Sequence, residues 1–335
     1  MKNNKKVFFS LILFVFILSA CSKKEDKATV DRAKDPINST TDLEETSSTD
    51  KKTIYVTSFP LYDFTKSIVG DKMEVVNMTG NQGFHGWEPT AKDIAKVQEA
   101  DMFVYSGPGL EKWVDNLIEN GTISGNIVAG SQGLDLLMAS HVHQEDYSHE
   151  EDHHNEDHSH GNFDPHIWLS LRNAQIILSN IKDGLVELDS ANKDFYENNY
   201  KLRAEAFQSL DEKYSELLEN PLRDMILVSH EAYAYLARDY KFKQVGIQGI
   251  NADGEPSLKQ INSIIDLAKE NDLKVIFYEH STSPKVPTLI AEEVGASLEF
   301  LSPLEALTKE QIEAGKDYLA VMEDNLEVIN KALNE

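Results

Sequence analysis

Residues 53–78 read TIYVTSFPLYDFTKSIVGDKMEVVNM. Ile54-Tyr55-Val56-Thr57 is a β-branched and aromatic run, the composition of a buried strand. Residues 61–69 then carry apolar side chains at helical spacing, and Gly70 stops them. Residues 73–78 return to strand. Strand, helix and strand in so short a stretch make a βαβ unit, whose strands run parallel. The alternation continues with a helix over 90–100, a strand over 102–105 closed by Gly107-Pro108-Gly109, a helix over 110–119 and a short strand over 127–129.

Further along the texture changes. Residues 171–188 and 191–219 are long helical stretches with few breakers, and Pro221 ends the second. Alternation then resumes. Strands are expected over 225–229, 245–249, 274–279 and 297–301. Between them lie helices over 231–240, from the capping box Ser257-Leu258-Lys259-Gln260 to Asn271, and over 286–294. A single closing helix is expected over 311–333. The pattern predicts an α/β protein of two lobes, each a parallel sheet flanked by helices. The lobes span 53–188 and 221–335 and are joined by a long, stiff linking helix within 189–220.

The first 20 residues read as a signal peptide. Lys2, Lys5 and Lys6 precede an apolar run over 7–18, too short to span a bilayer comfortably. The run closes with Leu18-Ser19-Ala20-Cys21, which looks like a bacterial lipobox in which Cys21 is lipidated and anchors the chain to the outer face of the cell membrane. Cys21 is also the single cysteine, which rules out an intrachain disulfide and a thiolate zinc site. Residues 22–52 have no aromatic side chain and are rich in Ser, Thr, Asp, Glu and Lys. With Cys21 they form a disordered tether over 21–52. The formal charge is −25, and the charged residues of the leader are lysines, so its removal makes the chain more acidic still. Such a surface excludes nucleic acid as a partner, suits the attraction of cations, and argues against binding anionic lipid through charge.

Seven of the eleven histidines lie between 141 and 160: His141, His143, His149, His153, His154, His158 and His160. Seven carboxylates are interleaved with them. Neutral imidazole and carboxylate are ligands of divalent first-row metals, and the segment has no apolar periodicity with which to bury itself. It therefore reads as an auxiliary metal-collecting loop. Its match to the H-E-x-x-H protease motif, His149 to His153, lacks the packed helix that this chemistry needs. The remaining histidines are better placed. Ligands of open parallel sheets lie at the carboxyl ends of strands. His85 sits in a glycine-rich loop after a strand, and His166 where the histidine loop re-enters the fold. His230 ends a strand, Glu279 and His280 follow another, and Glu305 follows a third.

These landmarks carry a resemblance. The lipobox, His85-Gly86-Trp87-Glu88-Pro89-Thr90, Asp164-Pro165-His166-Ile167-Trp168, Ser229-His230-Glu231-Ala232-Tyr233, Gln248-Gly249-Ile250 and Ser302-Pro303-Leu304-Glu305 occur in this order. Over essentially the whole chain from Thr53 they are similar to the metal-binding solute-binding lipoproteins of ABC importers, specifically the zinc-uptake branch. The acidic histidine loop before Asp164 is itself typical of that branch.

The resemblance implies a monomeric, extracytoplasmic, non-enzymatic receptor that takes up Zn²⁺ in the cleft between its lobes and delivers it to a membrane permease and its ATPase subunit. It implies His85, His166 and His230 as ligands, with Glu305 at the fourth position; Glu279, His280 and water remain competitors there. A histidine at 230, where manganese relatives usually carry glutamate, favours zinc. Gly86 departs from the family pattern, which often has Asp or another polar residue there. Alternative readings are a manganese or iron receptor of the same fold, a surface adhesin and, at the margin, a zinc hydrolase.

Overall fold

The computed structural model describes residues 51–84, 86–107, 109–139, 163–252 and 254–335. Cys21, His85 and the histidine loop over 141–160 lie outside the described residues. The first half contains β1 (Thr53–Val56), α1 (Phe59–Val69), β2 (Glu74–Asn77), α2 (Ala91–Glu99), β3 (Met102–Tyr105), α3 (Lys112–Glu119) and β4 (Ile127–Ala129). Two long helices follow, α4 (Leu171–Leu188) and α5 (Lys193–Leu217). The second half contains β5 (Met225–His230), α6 (Ala234–Tyr240), β6 (Lys243–Gln248), α7 (Leu258–Glu270), β7 (Val275–Tyr278), α8 (Lys285–Val294), β8 (Ser297–Phe300), α9 (Lys309–Glu313) and α10 (Tyr318–Asn334).

The strands form two four-stranded sheets, ordered β2-β1-β3-β4 and β6-β5-β7-β8, and every pairing is parallel. In each sheet the strand order reverses direction beside the first strand, at β1/β3 and β5/β7. Such a reversal opens a crevice at the carboxyl ends. The central strands β1, β3, β5 and β7 are covered on both faces, so their side chains split by parity. Ile54, Val56, Met102, Val104, Ile226, Val228, Val275 and Phe277 all enter one central core. Their alternates Phe103, Leu227 and Ile276 enter two smaller outer cores. The central core is thus shared between the sheets, and Thr49–Glu335 forms one compact unit.

The helices α4 and α5 line this shared core. Ser170 caps α4 by accepting the Asn173 N–H at 3.0 Å, and Ile177, Leu178, Ile181 and Leu185 are fully buried. Gly184 lies inside α4 because a Cβ there would meet Val128 Cγ2 at 2.6 Å, so the helix seats directly on the first sheet. The expected single helix over 311–333 is instead two, α9 and α10. Gly315 takes φ +66°, and Asp317 opens a new helix by accepting the Ala320 N–H at 2.8 Å. A glycine in the left-handed region and an aspartate cap outweigh the continuous helical pattern.

That break creates a junction. The Arg203 guanidinium, on α5, bonds Asp63 of α1 through Nη2 and Asp317 through Nη1, the latter at 2.7 Å. Beneath it Phe64, Phe207 and Tyr318 bring one ring each from α1, α5 and α10, with centroids 4.8–5.4 Å apart. Burial pushes the Asp63 carboxyl up, and Arg203 acts against that shift. Removing the guanidinium would strand a carboxylate in a mostly dry site. Arg203→Ala is therefore expected to destabilise the protein by about 3 kcal/mol, read from the midpoint of chemical denaturation.

Candidate metal centre

His166 is presented by a tight turn. The Asp164 carboxylate accepts the His166 backbone N–H at 2.9 Å and faces its Nδ1 at 2.9 Å with the same oxygen. The Ile167 N–H bonds Pro165 O at 2.8 Å, opening a 3₁₀ turn over Ile167–Leu169. The turn is held from the opposite half of the chain. Tyr235 of α6 donates its hydroxyl to Asp164 O at 2.9 Å, and Trp168 Nε1 donates to Pro303 O at 2.9 Å. Tyr318 donates to Trp168 O.

His230 is the last residue of β5, and its Nδ1 lies 2.6 Å from Glu279 Oε1. Because β5 and β7 are neighbours, the residue just past β7 falls beside the end of β5. Glu305 comes from the loop after β8. The Asn325 side chain, on α10, clasps that loop by accepting the Ser302 N–H at 3.0 Å and donating to Ser302 O at 2.8 Å. Ser302 Oγ then accepts the Leu304 N–H at 3.2 Å, and Leu304 is held at φ +57°. That conformation is costly for a branched side chain and turns the next residue inward. On the other side Gly83 sits at φ +73°, and a Cβ there would lie 3.3 Å from Glu305 Oε2.

These three segments bring His166, His230 and Glu305 together, with one ligand atom from each within 4.8 Å of the others. The two Nε2 atoms are 3.3 Å apart. Glu305 Oε1 lies 3.5 Å from His230 Nε2 and 4.0 Å from His166 Nε2. Two donors each 2.0–2.1 Å from a tetrahedral zinc ion stand about 3.3 Å apart, so the histidine pair already spans one edge of such a tetrahedron. Both Nδ1 atoms face carboxylates, which makes them the protonated nitrogens and leaves each Nε2 lone pair aimed at the common point.

Burial lowers the His166 pKa, against the hydrogen bond and charge of Asp164. For His230 burial also acts downward, but the Glu279 hydrogen bond and the charges of Glu279, Glu305 and Asp164 outweigh it, and its pKa is raised. The pair therefore holds one proton readily and resists a second, as two imidazoles in contact should.

The structure thus joins three of the four expected ligand residues. His85 is outside the described residues, but its neighbour Phe84 packs edge-on against Trp168 at 4.9 Å and lies 6.2 Å from the His166 ring. Gly86 adopts φ +71°, a conformation that suits glycine. Glu279, expected as a rival for the fourth position, faces Nδ1 of His230 and so lies on the far side of that ring from Nε2. His280 is exposed, with its ring 4.7 Å from that of Phe300. The Asn325 clasp had no signal in the sequence beyond a polar residue on the buried side of a helix. Asp164 was visible within its motif, and its role could have been read from the Asp-x-His spacing, which suits a side chain bonding the backbone two residues on.

Comparisons with known proteins bear on what such a centre is for. The family model described as "ZnuA: Zinc-uptake complex component A periplasmic" matches residues 54–332. The chain belongs to the ZnuA family. The high-affinity zinc uptake system protein ZnuA of Bacillus subtilis is 39% identical over 298 residues, which are 88% of this chain and 92% of the relative. The zinc-binding lipoprotein AdcA of Streptococcus pneumoniae is 35% identical over 287 residues; these are 85% of this chain but only 56% of that longer protein. In structure, the Zn(II)-bound ZnuA-like domain of S. pneumoniae AdcA superposes with a TM-score of 0.72 at 32% identity, covering 85% of this chain and all of that domain. The two parallel sheets are the fold of the ZnuA family.

In a centre of this kind the carboxylate behind a histidine fixes both its tautomer and its aim. Glu279→Ala is expected to weaken zinc binding by about 10- to 100-fold while leaving all three ligand residues in place. Equilibrium competition against a chromophoric chelator measures this directly.

Proposed function

We propose that this protein is an extracytoplasmic receptor that captures Zn²⁺ with high affinity and delivers it to an ABC permease and its ATPase subunit. The observation that carries the proposal is the buried triangle of His166 Nε2, His230 Nε2 and Glu305 Oε1, with its edge of 3.3 Å between the imidazoles. Imidazole nitrogens favour zinc over calcium or magnesium, which take oxygen donors at longer range. The family supports the same reading. His85 supplies the remaining ligand on the strength of the family resemblance, and its described neighbours Gly83 and Phe84 lie against Glu305 and Trp168. The centre joins a lobe over 53–188 to one over 221–335 across the linking segment 189–220.

Around this core reading stand its finer parts. Lipidated Cys21 anchors the monomer to the outer face of the cell membrane, and 21–52 is the tether. The histidines between 141 and 160 collect zinc weakly and raise its concentration near the tight site. The role is binding, not catalysis.

Calorimetric titration with zinc tests the reading. One tight event is expected in the intact chain, and His230→Ala should weaken it by orders of magnitude, since a lost ligand also disturbs the geometry of the rest. Binding at full strength in that variant would exclude the assignment.

The pH dependence follows from the two histidines. The raised pKa of His230 puts a proton on the empty site from above the ordinary histidine value of about 6.5, and zinc must displace it. Affinity should therefore fall by about tenfold per pH unit as pH drops through that range. It should fall more steeply below it, where His166, with its lowered pKa, also takes up a proton. Titrations in a series of buffers give the slope, and a flat profile down to about pH 5.5 would contradict a site built on histidine.

A further inference from the structure

His166 and His230 are fully buried and Glu305 is 4% exposed, so an ion needs a path to reach them. A cavity of about 210 Å³ provides one. Its wall includes Glu305, so it ends on the ligand carboxylate itself. Asn81, Gln82, Ser281 and Thr308 add oxygen donors, and His280 adds an imidazole. His280 is exposed, so it stands at the solvent end. Its ring is braced by Phe300 at 4.7 Å and by Tyr278 at 6.2 Å, which limits how far it can swing.

We propose that His280 is a transient zinc ligand at the mouth of this cavity, taking the ion from solvent and passing it inward to Glu305. This rests on the reading of the buried centre as a zinc site. A hydrated zinc ion entering the cavity must exchange its waters for protein donors one at a time. One imidazole with a few neutral oxygens can replace some of those waters, yet it lacks the charge and the closed tetrahedron that would retain the ion. That makes a relay and not a store. A group that touches the ion only along its path lowers the barrier in both directions. Its removal slows entry and exit together and leaves their ratio, the affinity of the buried site, in place.

The test is stopped-flow mixing of Zn²⁺ with the full chain, and of the zinc-loaded chain with excess chelator. In His280→Ala both rate constants are expected to fall by about tenfold together, the scale on which local concentration of an ion alters its capture. Ser281→Trp, which narrows the mouth with His280 intact, should act in the same direction. Tight binding with unchanged rates in either variant would overturn the relay and leave the buried zinc site standing. Faster release with unchanged entry in His280→Ala would also overturn it, because His280 would then be a ligand of the bound ion. Failure of the unaltered chain to bind zinc tightly would overturn the zinc reading itself and the relay with it.

Discussion

Two buried imidazole nitrogens stand 3.3 Å apart with their lone pairs facing each other, and that proximity is tolerable only with a positive charge between them. A proton is one solution and a metal ion the other. Everything around the pair maintains this condition. Asp164 and Glu279 occupy the outer nitrogens and forbid the tautomers that would relieve the repulsion. Glu305 adds negative charge on the open side. The two imidazole nitrogens and the carboxylate thus converge on one point, an arrangement that suits a small cation.

Keeping such a pair rigid requires both halves of the chain to be immobile relative to each other at the centre. The shared core does this in bulk, and a few directional bonds do it locally. Trp168 ties the His166 turn to the Glu305 loop through Pro303, Tyr318 ties Trp168 to the start of α10, and Tyr235 ties Asp164 to α6. The Arg203 junction fixes α1, α5 and α10 to one another further out. These contacts cross between the sheets beside the centre, so opening it by a large rotation of one sheet would break several buried polar bonds at once. Each such loss costs about 1–3 kcal/mol.

The strands were legible because burial on both faces leaves short, uninterrupted apolar runs such as 102–105 and 226–228. The helix over 171–188 was legible in full, since Ser170 caps one end and the apolar spacing never lapses. The closing helix was misread as one because a glycine within a helical pattern is usually tolerated; only the left-handed angle at Gly315 shows that it turns the chain. His166, His230 and Glu305 could be nominated from their places after strands or at the re-entry of a loop. The division of labour between Glu279 and Glu305 could not be, because it depends on β7 lying next to β5, and strand order is not written in local periodicity. The Asn325 clasp was invisible for the same reason: its partner is Ser302, 23 residues away.

The bonds that gather the centre also join very distant parts of the chain. Nε2 of His166 meets that of His230 across 64 residues, Trp168 reaches Pro303 across 135, and Tyr318 reaches back to Trp168 across 150. Contacts of such span form late, because loop closure must be completed before they return any stabilisation. The amino-terminal half alone has Asp164 and His166 but neither His230 nor Glu305. A half-folded chain therefore offers the ion only part of this centre. Its full binding energy is available to the finished fold, as a ligand that raises stability by mass action.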